Sequence, residues 1–364
     1  MKFICDKVLL QEALTAASRA STTNSPNMML ANLLLIAGEG LTVVGNNLEI
    51  SIEYTVPAQV QEPGSICINA RTLCDIVRSL PEEAILFEEK DMNIHITCGE
   101  TDFKLIGLGA EDFPRSEPVE DATKTTLSAQ MLSDMVRQTG FAVAVTDVKP
   151  LLTGIKFEME PDNITAVALD GYRLALRREA VVGGAQVECI IPGRSMTELC
   201  RILKDEDDVS IELADAAARF RFGSCLFTTR LLQGEFINYN NIIPTSVDST
   251  AVVGVPDLMK CVERAALLAD HDGSKIPVKL TFQGPRLHVT CETQSGQFHD
   301  VLNVETTNME EFEIGFNHKF LLDALRAAEC DTVRMEFTGS IKPLVIKPME
   351  GNAFLFIVLP VRLK

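Results

Sequence analysis

Two kinds of residue in this 364-residue chain could carry chemistry: carboxylates, which are abundant, and basic side chains, which are fewer but regularly spaced. Neighbouring acids such as Glu82 and Glu83, or the run Asp205, Glu206, Asp207 and Asp208, have the residue types of a general acid–base pair. With 51 acidic residues such adjacency arises without any catalytic purpose, and these stretches read as solvated loops. DHDG at 270–273 opens like a calcium loop, yet its twelfth position is Thr281, where a bidentate Glu is needed. GLGAED at 107–112 lacks the third glycine of a dinucleotide fingerprint. The chain contains neither G-x-x-x-x-G-K-[ST] nor the nucleophile elbow G-x-S-x-G. No catalytic residue and no cofactor is assigned from the sequence.

Metal ligands are also missing at useful spacing. His95, His271, His288, His299 and His318 never fall at ligand distance from one another or from paired cysteines, and none of the ten cysteines forms a C-x-x-C pair. These thiols read as reduced core residues, which fits a cytoplasmic protein. Asp6, Lys7 and Glu12 interrupt the opening residues where a signal peptide needs an apolar run, and no stretch of about 18 apolar residues occurs, so no membrane partner is expected.

The basic residues are more informative. Arg71 and Arg78, Arg194 and Arg201, and Lys319 and Arg326 are each separated by seven positions, two helical turns, so each pair shares a face. That face lies away from the apolar stripe Leu73, Ile76, Val77 and Leu80 and its counterparts. Lys7, Arg19, Arg137, Lys260 and Arg264 add charge on other helical windows, and Lys149 sits in a loop. The helical windows hold more basic than acidic residues although the whole chain carries −18; the remainder is strongly acidic. Such a surface suits weak, sequence-independent contact with phosphates. The same spacing also fits intrahelical ion pairing through Asp75, Glu198 and Asp323. Aromatic stacking on single strands is nearly excluded as the binding mode, with no Trp and three Tyr.

The elements that position these charges recur. DKVLLQEAL at 6–14, SAQMLSDMV at 128–136 and VPDLMKCVE at 255–263 share an apolar face. CINARTLCDIVRSL at 67–80, IIPGRSMTELCRIL at 190–203 and GFNHKFLLDALRAA at 315–328 follow in the same order, and FKLIGLGAEDFP at 103–114 recurs as LFTTRLLQGEFI at 226–237. Between them, alternating segments such as LTVVGNNLEISIEYTV predict strands and hairpins. The pattern predicts an α+β chain of three tandem domains, residues 1–122, 123–247 and 248–364, each with two helices and roughly eight short strands. With helices inward, the basic faces would line a central pore and antiparallel sheets would lie outside.

Across nearly its whole length the sequence resembles the bacterial beta sliding clamps, the beta subunits of DNA polymerase III. The resemblance rests on RQTGFAV at 137–143, PLLTGIKFE at 150–158, LDGYRLALR at 169–177, RLLQGEFINYNNIIP at 230–244, FTGSIKPLVI at 337–346 and LPVRLK at 359–364, together with the second-helix segments above. It implies a non-catalytic processivity factor: a head-to-tail homodimeric ring around duplex DNA, loaded by a clamp loader and engaged by replicative polymerase and other proteins bearing a clamp-binding motif. It also implies a partner-peptide pocket formed by Leu152, Leu169, Gly171, Tyr172, Arg173, Leu174, Ile242, Asn317, Phe320, Ile341, Leu359, Pro360, Val361 and Arg362. Strand-end core packing is the other reading of Leu152, Leu174 and Leu359. The implied dimer interface joins Phe103 and Leu105 to Leu267 and Leu268, residues that could equally serve the monomer core. The chain departs from the family at Ile237–Asn241, where a more polar run is usual, at Phe320, where Tyr is common, and at Thr22, Thr23 and Asn24, where some clamps carry a DNA-contacting Arg; Lys149 keeps a basic residue beside the second DNA-contacting loop. The competing class is a carboxylate hydrolase that uses the repeats as scaffold.

Overall fold

Six helices stand where the apolar periodicity predicts them: α1 (Lys7–Ser18), α2 (Ala70–Ser79), α3 (Ala129–Gly140), α4 (Gly193–Cys200), α5 (Val255–His271) and α6 (His318–Ala328). They belong to a computed structural model that describes residues 1–116, 121–146, 149–205, 207–271, 276–309 and 311–363. Glu206 and the Asp272–Gly273 part of DHDG lie outside the described residues. Local chemistry fixes several helix starts. Asp6 accepts hydrogen bonds from the Val8 and Leu9 amides, Asn69 from Thr72 and Asn317 from Lys319.

The strands of the first third are β1 (Lys2–Asp6), β2 (Asn32–Ala37), β3 (Leu41–Asn46), β4 (Ile50–Val56), β5 (Gln59–Glu62), β6 (Gly64–Asn69), β7 (Ala84–Lys90), β8 (Asn93–Cys98) and β9 (Thr101–Ile106). The second third contributes β10 (Thr123–Ser128), β11 (Gly154–Met159), β12 (Asn163–Leu169), β13 (Arg173–Ala180), β14 (Val187–Pro192), β15 (Asp208–Leu213), β16 (Ala217–Phe222) and β17 (Cys225–Arg230). The last third adds β18 (Ser249–Gly254), β19 (Val278–Gln283), β20 (Arg286–Glu292), β21 (Gln297–Asn303), β22 (Glu305–Thr307), β23 (Glu311–Phe316), β24 (Thr332–Phe337), β25 (Leu344–Pro348) and β26 (Phe354–Val358). Each third thus places its two helices after corresponding strands.

Four antiparallel sheets result, ordered β5-β1-β7-β8-β9, β10-β15-β16-β17-β4-β3-β2-β6, β14-β11-β12-β13-β26-β25-β24-β18-β22 and β21-β20-β19-β23. The two long sheets cross the repeat boundaries. β17 pairs with β4 of the preceding repeat, and β26 pairs in the same way with β13. These ladders divide the chain into two compact units that cut through the middle repeat: Met1–Leu132 with Arg194–Leu231, and Ser133–Gly193 with Leu232–Lys364. Two-unit compactness and threefold sequence repetition coexist because the middle repeat splits its strands between neighbours.

In the first unit, Leu10, Ala13, Leu14 and Ala17 of α1 and Leu73 and Val77 of α2 are buried in one core with Phe3 and Phe87 of the five-stranded sheet and Leu35 and Val43 of the eight-stranded sheet. α1 approaches β3 so closely that a Cβ at Gly45 would lie 2.0 Å from the Ala17 carbonyl oxygen, so only glycine fits there. In the second unit, Leu321, Leu322 and Leu325 form the buried face of α6. No helix among the described residues is long and apolar enough to cross a membrane.

Candidate functional site

The strongest candidate grows from one tight turn in the second unit. β12 and β13 pair as a hairpin with Leu169 opposite Leu174, and Asp170 closes the turn by accepting from the Tyr172 and Arg173 amides at 2.9 and 3.0 Å. Gly171 sits in that turn at φ +91°, a conformation that favours glycine. The same Asp170 accepts from Arg173 Nε at 3.0 Å, while Arg173 Nη1 donates to Asp323 on α6. The guanidinium carbon also lies 4.8 Å from the Phe320 ring centroid and 5.5 Å from that of Phe141. Arg173, only 9% exposed, therefore fastens the turn to the start of α6.

Tyr172 stacks on Phe320 at 5.6 Å between ring centroids and remains 61% exposed. The carboxyl-terminal residues run alongside. The Leu359 amide donates to the Tyr172 carbonyl at 2.9 Å, and the Val361 amide donates to the Gly315 carbonyl at 2.8 Å. Leu359, Pro360 and Val361 are half-buried, whereas Ile242, Ile341 and Arg362 are exposed. An aromatic stack, half-buried aliphatic groups and a fixed guanidinium are suited to holding an extended peptide by apolar anchors.

Several expected wall residues are also packed in the core. Leu152, Leu169 and Leu174 are buried in one cluster with Val167, Leu176, Val345 and Ile357, so the strand-end packing reading describes Leu152 and Leu174. Changing Leu174 to Asn therefore tests folding first. It should destabilise the protein by about 2–5 kcal/mol, read as a lowered melting temperature, because a buried leucine is truncated and an amide is left among apolar neighbours. Asn317 is accounted for as the α6 cap. Sequence reasoning gave Asp170 and Phe141 no role and Asp323 only an intrahelical one, yet all three hold Arg173. Only Asp170 gave a signal, as an Asp directly before Gly in a turn.

The basic residues divide. Arg71, Arg78, Arg137, Lys149, Arg194, Arg201, Lys260, Arg264, Lys319 and Arg326 are exposed. Lys7 is a correction: it is only 8% exposed, because as the first residue of α1 its stem is packed into the fold. The ion-pair reading also holds locally. Asp75 meets Arg71 at 3.9 Å and Arg78 at 3.1 Å, and Arg326 meets Glu263 at 2.9 Å. Arg201 pairs with Glu198, Arg137 with Asp134 and Glu329, and Arg264 with Asp300. Such exposed pairs are worth at most about 1 kcal/mol and are screened by salt, so they leave the arginines able to meet phosphate.

A pocket of about 430 Å³ lies between α1 and the residues after α4. There Glu12 accepts from Lys204 Nζ at 2.6 Å and from the Tyr54 hydroxyl at 2.7 Å. These bonds hold its carboxyl below the usual range, the Lys204 bond most strongly. Their stabilisation is therefore present at neutral pH and fades as pH falls through the folded-state value. The free thiols behave as core groups: burial pushes Cys5 up to about 11, and Cys189 and Cys225 up to about 12. Among the described residues no three His, Cys, Asp or Glu side chains converge as a metal site within the chain.

Of the residues expected at a dimer interface, Phe103 and Leu105 are half-buried against the first unit's core. Leu267 is 75% exposed, Leu268 is half-buried, and Ile106, which sequence reasoning did not single out, is 82% exposed.

Comparison with known proteins decides the family. The N-terminal, central and C-terminal domains of the DNA polymerase III beta subunit match residues 1–118, 126–238 and 240–362 in turn. The chain belongs to the bacterial beta sliding clamp family. Beta sliding clamps of Bacillus subtilis and Streptomyces coelicolor are 29% and 28% identical to it, and each alignment covers all of both chains. Among solved structures, the Bacillus subtilis DNA polymerase sliding clamp superposes with a TM-score of 0.96 at 28% identity. A Pseudomonas aeruginosa DnaN sliding clamp bound to griselimycin superposes with 0.93 at 26%, and both alignments cover 100% of each chain. The clamp-family assignment and the three-domain α+β architecture read from the repeats are thereby established.

Proposed function

We propose that this chain is the processivity clamp of a replicative DNA polymerase: two copies close head to tail around duplex DNA and tether polymerase and other motif-bearing proteins, without catalysis or a required cofactor. The domains are taken as 1–122, 123–247 and 248–364, the site of action as the cytoplasm, and loading as the work of a separate clamp loader. The observation that carries the reading is a strand-pairing rule obeyed twice. In β17·β4 and in β26·β13, the last strand of one repeat joins the fourth-strand equivalent of the repeat before it.

Applied once more, the rule pairs β9, the last strand of the first repeat, with β21 of a second copy. Both are edge strands. Register follows from the hairpins. Tyr54, Arg177 and Asp300 each lie three residues after the equivalent turn positions Ser51, Leu174 and Gln297. At the internal junctions Tyr54 faces Cys225 and Arg177 faces Phe354, the first residues of their strands. The seam register is therefore Thr101 to Asp300, Asp102 to His299, Phe103 to Phe298 and Lys104 to Gln297. Phe103 and Phe298 then share the helix-covered face with exposed Leu267. Applying the rule at both ends of each protomer closes the assembly, and an open sheet edge becomes an interface.

The DNA-facing reading rests on the exposed basic residues of the helices, with Lys149 beside them. After loading, the protein should remain on nicked circular DNA and run off once that DNA is linearised. Equal retention on both forms removes encirclement. Changing Arg71, Arg194 and Lys319 together to Glu should lower retention or loading and flatten its dependence on salt, because fewer phosphate counterions are then released. An unchanged salt profile at low ionic strength returns these residues to ordinary ion pairing. The peptide-pocket reading rests on the Tyr172–Phe320 stack and the half-buried tail beside it.

A further inference from the structure

The turn that anchors the candidate peptide pocket has a counterpart in the first unit. Asn47 Oδ1 accepts from the Glu49 and Ile50 amides at 3.0 and 2.8 Å, as Asp170 accepts from those of Tyr172 and Arg173. Leu48 stands at φ +73° where Gly171 stands at +91°, so the left-handed turn is kept although a leucine is strained in it. The Arg230 amide donates to the Glu49 carbonyl at 3.1 Å, as the Leu359 amide does to that of Tyr172. On the helix, Ser195 follows Arg194 as Phe320 follows Lys319.

The frame is shared and the lining is inverted. Asn46 and Ser51 stand where the second unit has Leu169 and Leu174, Thr228 and Thr229 where it has Ile357 and Val358, and Arg230 where it has Leu359. Where Tyr172 stacks on Phe320, Ser195 Oγ instead donates to Glu49 Oε1 at 3.2 Å and accepts from Thr229 Oγ1 at 2.9 Å. Except for Ser195, these first-unit residues line a cavity of about 620 Å³, joined by Leu48 and Arg115.

Asn46, Ser51, Ser195, Thr228 and Thr229 are all buried, and buried polar groups are costly unless they are hydrogen-bonded. Two of them are incompletely bonded. Asn46, 6% exposed, uses Oδ1 to accept from the Leu48 amide, but among the described residues its Nδ2 has no hydrogen-bond partner. Nor have Thr228 Oγ1 and the exposed guanidiniums of Arg115 and Arg230. The cavity is therefore rich in unused donors.

We propose that this cavity is a second peptide site, taking an extended segment of a partner protein with one acidic side chain among neutral polar ones. Arg115 and Arg230 bind the carboxylate, while Asn46 and Thr228 bond its polar neighbours. Glu49, Asp121 and Asp215 are exposed along the same lining. They repel a run of acidic residues or a phosphate chain, which restricts the ligand to a single carboxylate. Leu and Phe anchors do not suit the cavity, because they would strip water from Asn46 and Thr228 without replacing those hydrogen bonds. The choice of a peptide as occupant rests on the peptide-pocket reading above.

The test uses the full-length protein and a displayed heptapeptide library with Asp fixed at the centre and Ser, Thr, Asn, Gln or Gly elsewhere. Panning is done on the variant carrying Tyr172→Ala with Ile341→Asp, in which the other pocket is disabled, and enriched peptides are measured by fluorescence anisotropy. They should bind this variant and the wild type equally. Arg115→Ala with Arg230→Ala should weaken them at least about tenfold, as should Asn in place of the peptide's Asp, since each change removes a charge-assisted hydrogen bond. Both arginines are exposed, so the melting temperature should hold. No enriched binder, or binders indifferent to the two arginines, overturns the site. Undiminished affinity of the Asn peptide overturns it as well, and so does displacement by a short DNA duplex, which would make the cavity a phosphate site. The two pockets are read separately: motif-peptide binding in the Tyr172 variant, acidic-peptide binding in the arginine variant, so either can fail while the other stands.

Discussion

Replacing Tyr172 with Ala and Ile341 with Asp should abolish measurable binding of clamp-motif peptides while leaving the melting temperature nearly unchanged. Both side chains are well exposed, at 61% and 68%, so neither supports the core. Exposed substitutions of this kind usually change stability by no more than about 0.5 kcal/mol. An aromatic anchor at the centre of a binding site costs about 2 kcal/mol or more when truncated, a loss of roughly 30-fold, and a carboxylate on an apolar wall adds to it. Fluorescence anisotropy with a labelled peptide of Leu and Phe anchors reads the effect. Wild-type affinity in the double variant would place the peptide elsewhere. Leu174 is the contrasting control: its replacement should lower stability, and any loss of binding should follow unfolding.

Much of the architecture was legible because repetition is itself a sequence signal. The second helices announced themselves through Leu73 and Val77 on one face and Arg71 and Arg78 on the other, and the helix occupies Ala70–Ser79. What could not be read was which strands join across repeats. The alternation of apolar residues in β4 or β13 fixes which face is buried but not which edge is paired, since main-chain hydrogen bonds carry no side-chain signature. Hence three units were counted while the two long sheets that bind them went unseen. The pocket was legible in membership more than in role. Tyr172 and Phe320 meet, but Leu169 and Leu174 proved to be the hairpin's buried foundation, because a strand-end leucine reads identically whether it faces a groove or a core. Lys7 failed for a related reason, since helical spacing predicts a face and not the depth to which a stem is packed.

The unpaired edges lead to the second large effect: Leu267→Glu should convert the dimer to monomer and abolish retention on nicked circular DNA. Leu267 is 75% exposed on α5, the helix that packs over β20 and β21. The proposed seam register would bring the partner's Phe103 and Leu105 to this same face, so the new carboxylate would be buried against apolar groups. A central residue at an interface contributes about 2 kcal/mol or more, and a head-to-tail dimer contains the contact twice. The penalty of about 4 kcal/mol or more raises the dissociation constant at least roughly a thousandfold. Because Leu267 makes little use of the monomer core, the melting of the separated protomer should be unaffected, and sedimentation at micromolar concentration should report half the mass. A Leu267→Glu protein that sediments as a dimer would mean that β9 and β21 do not form the closing junction, and that the rule seen at β4 and β13 ends within the chain.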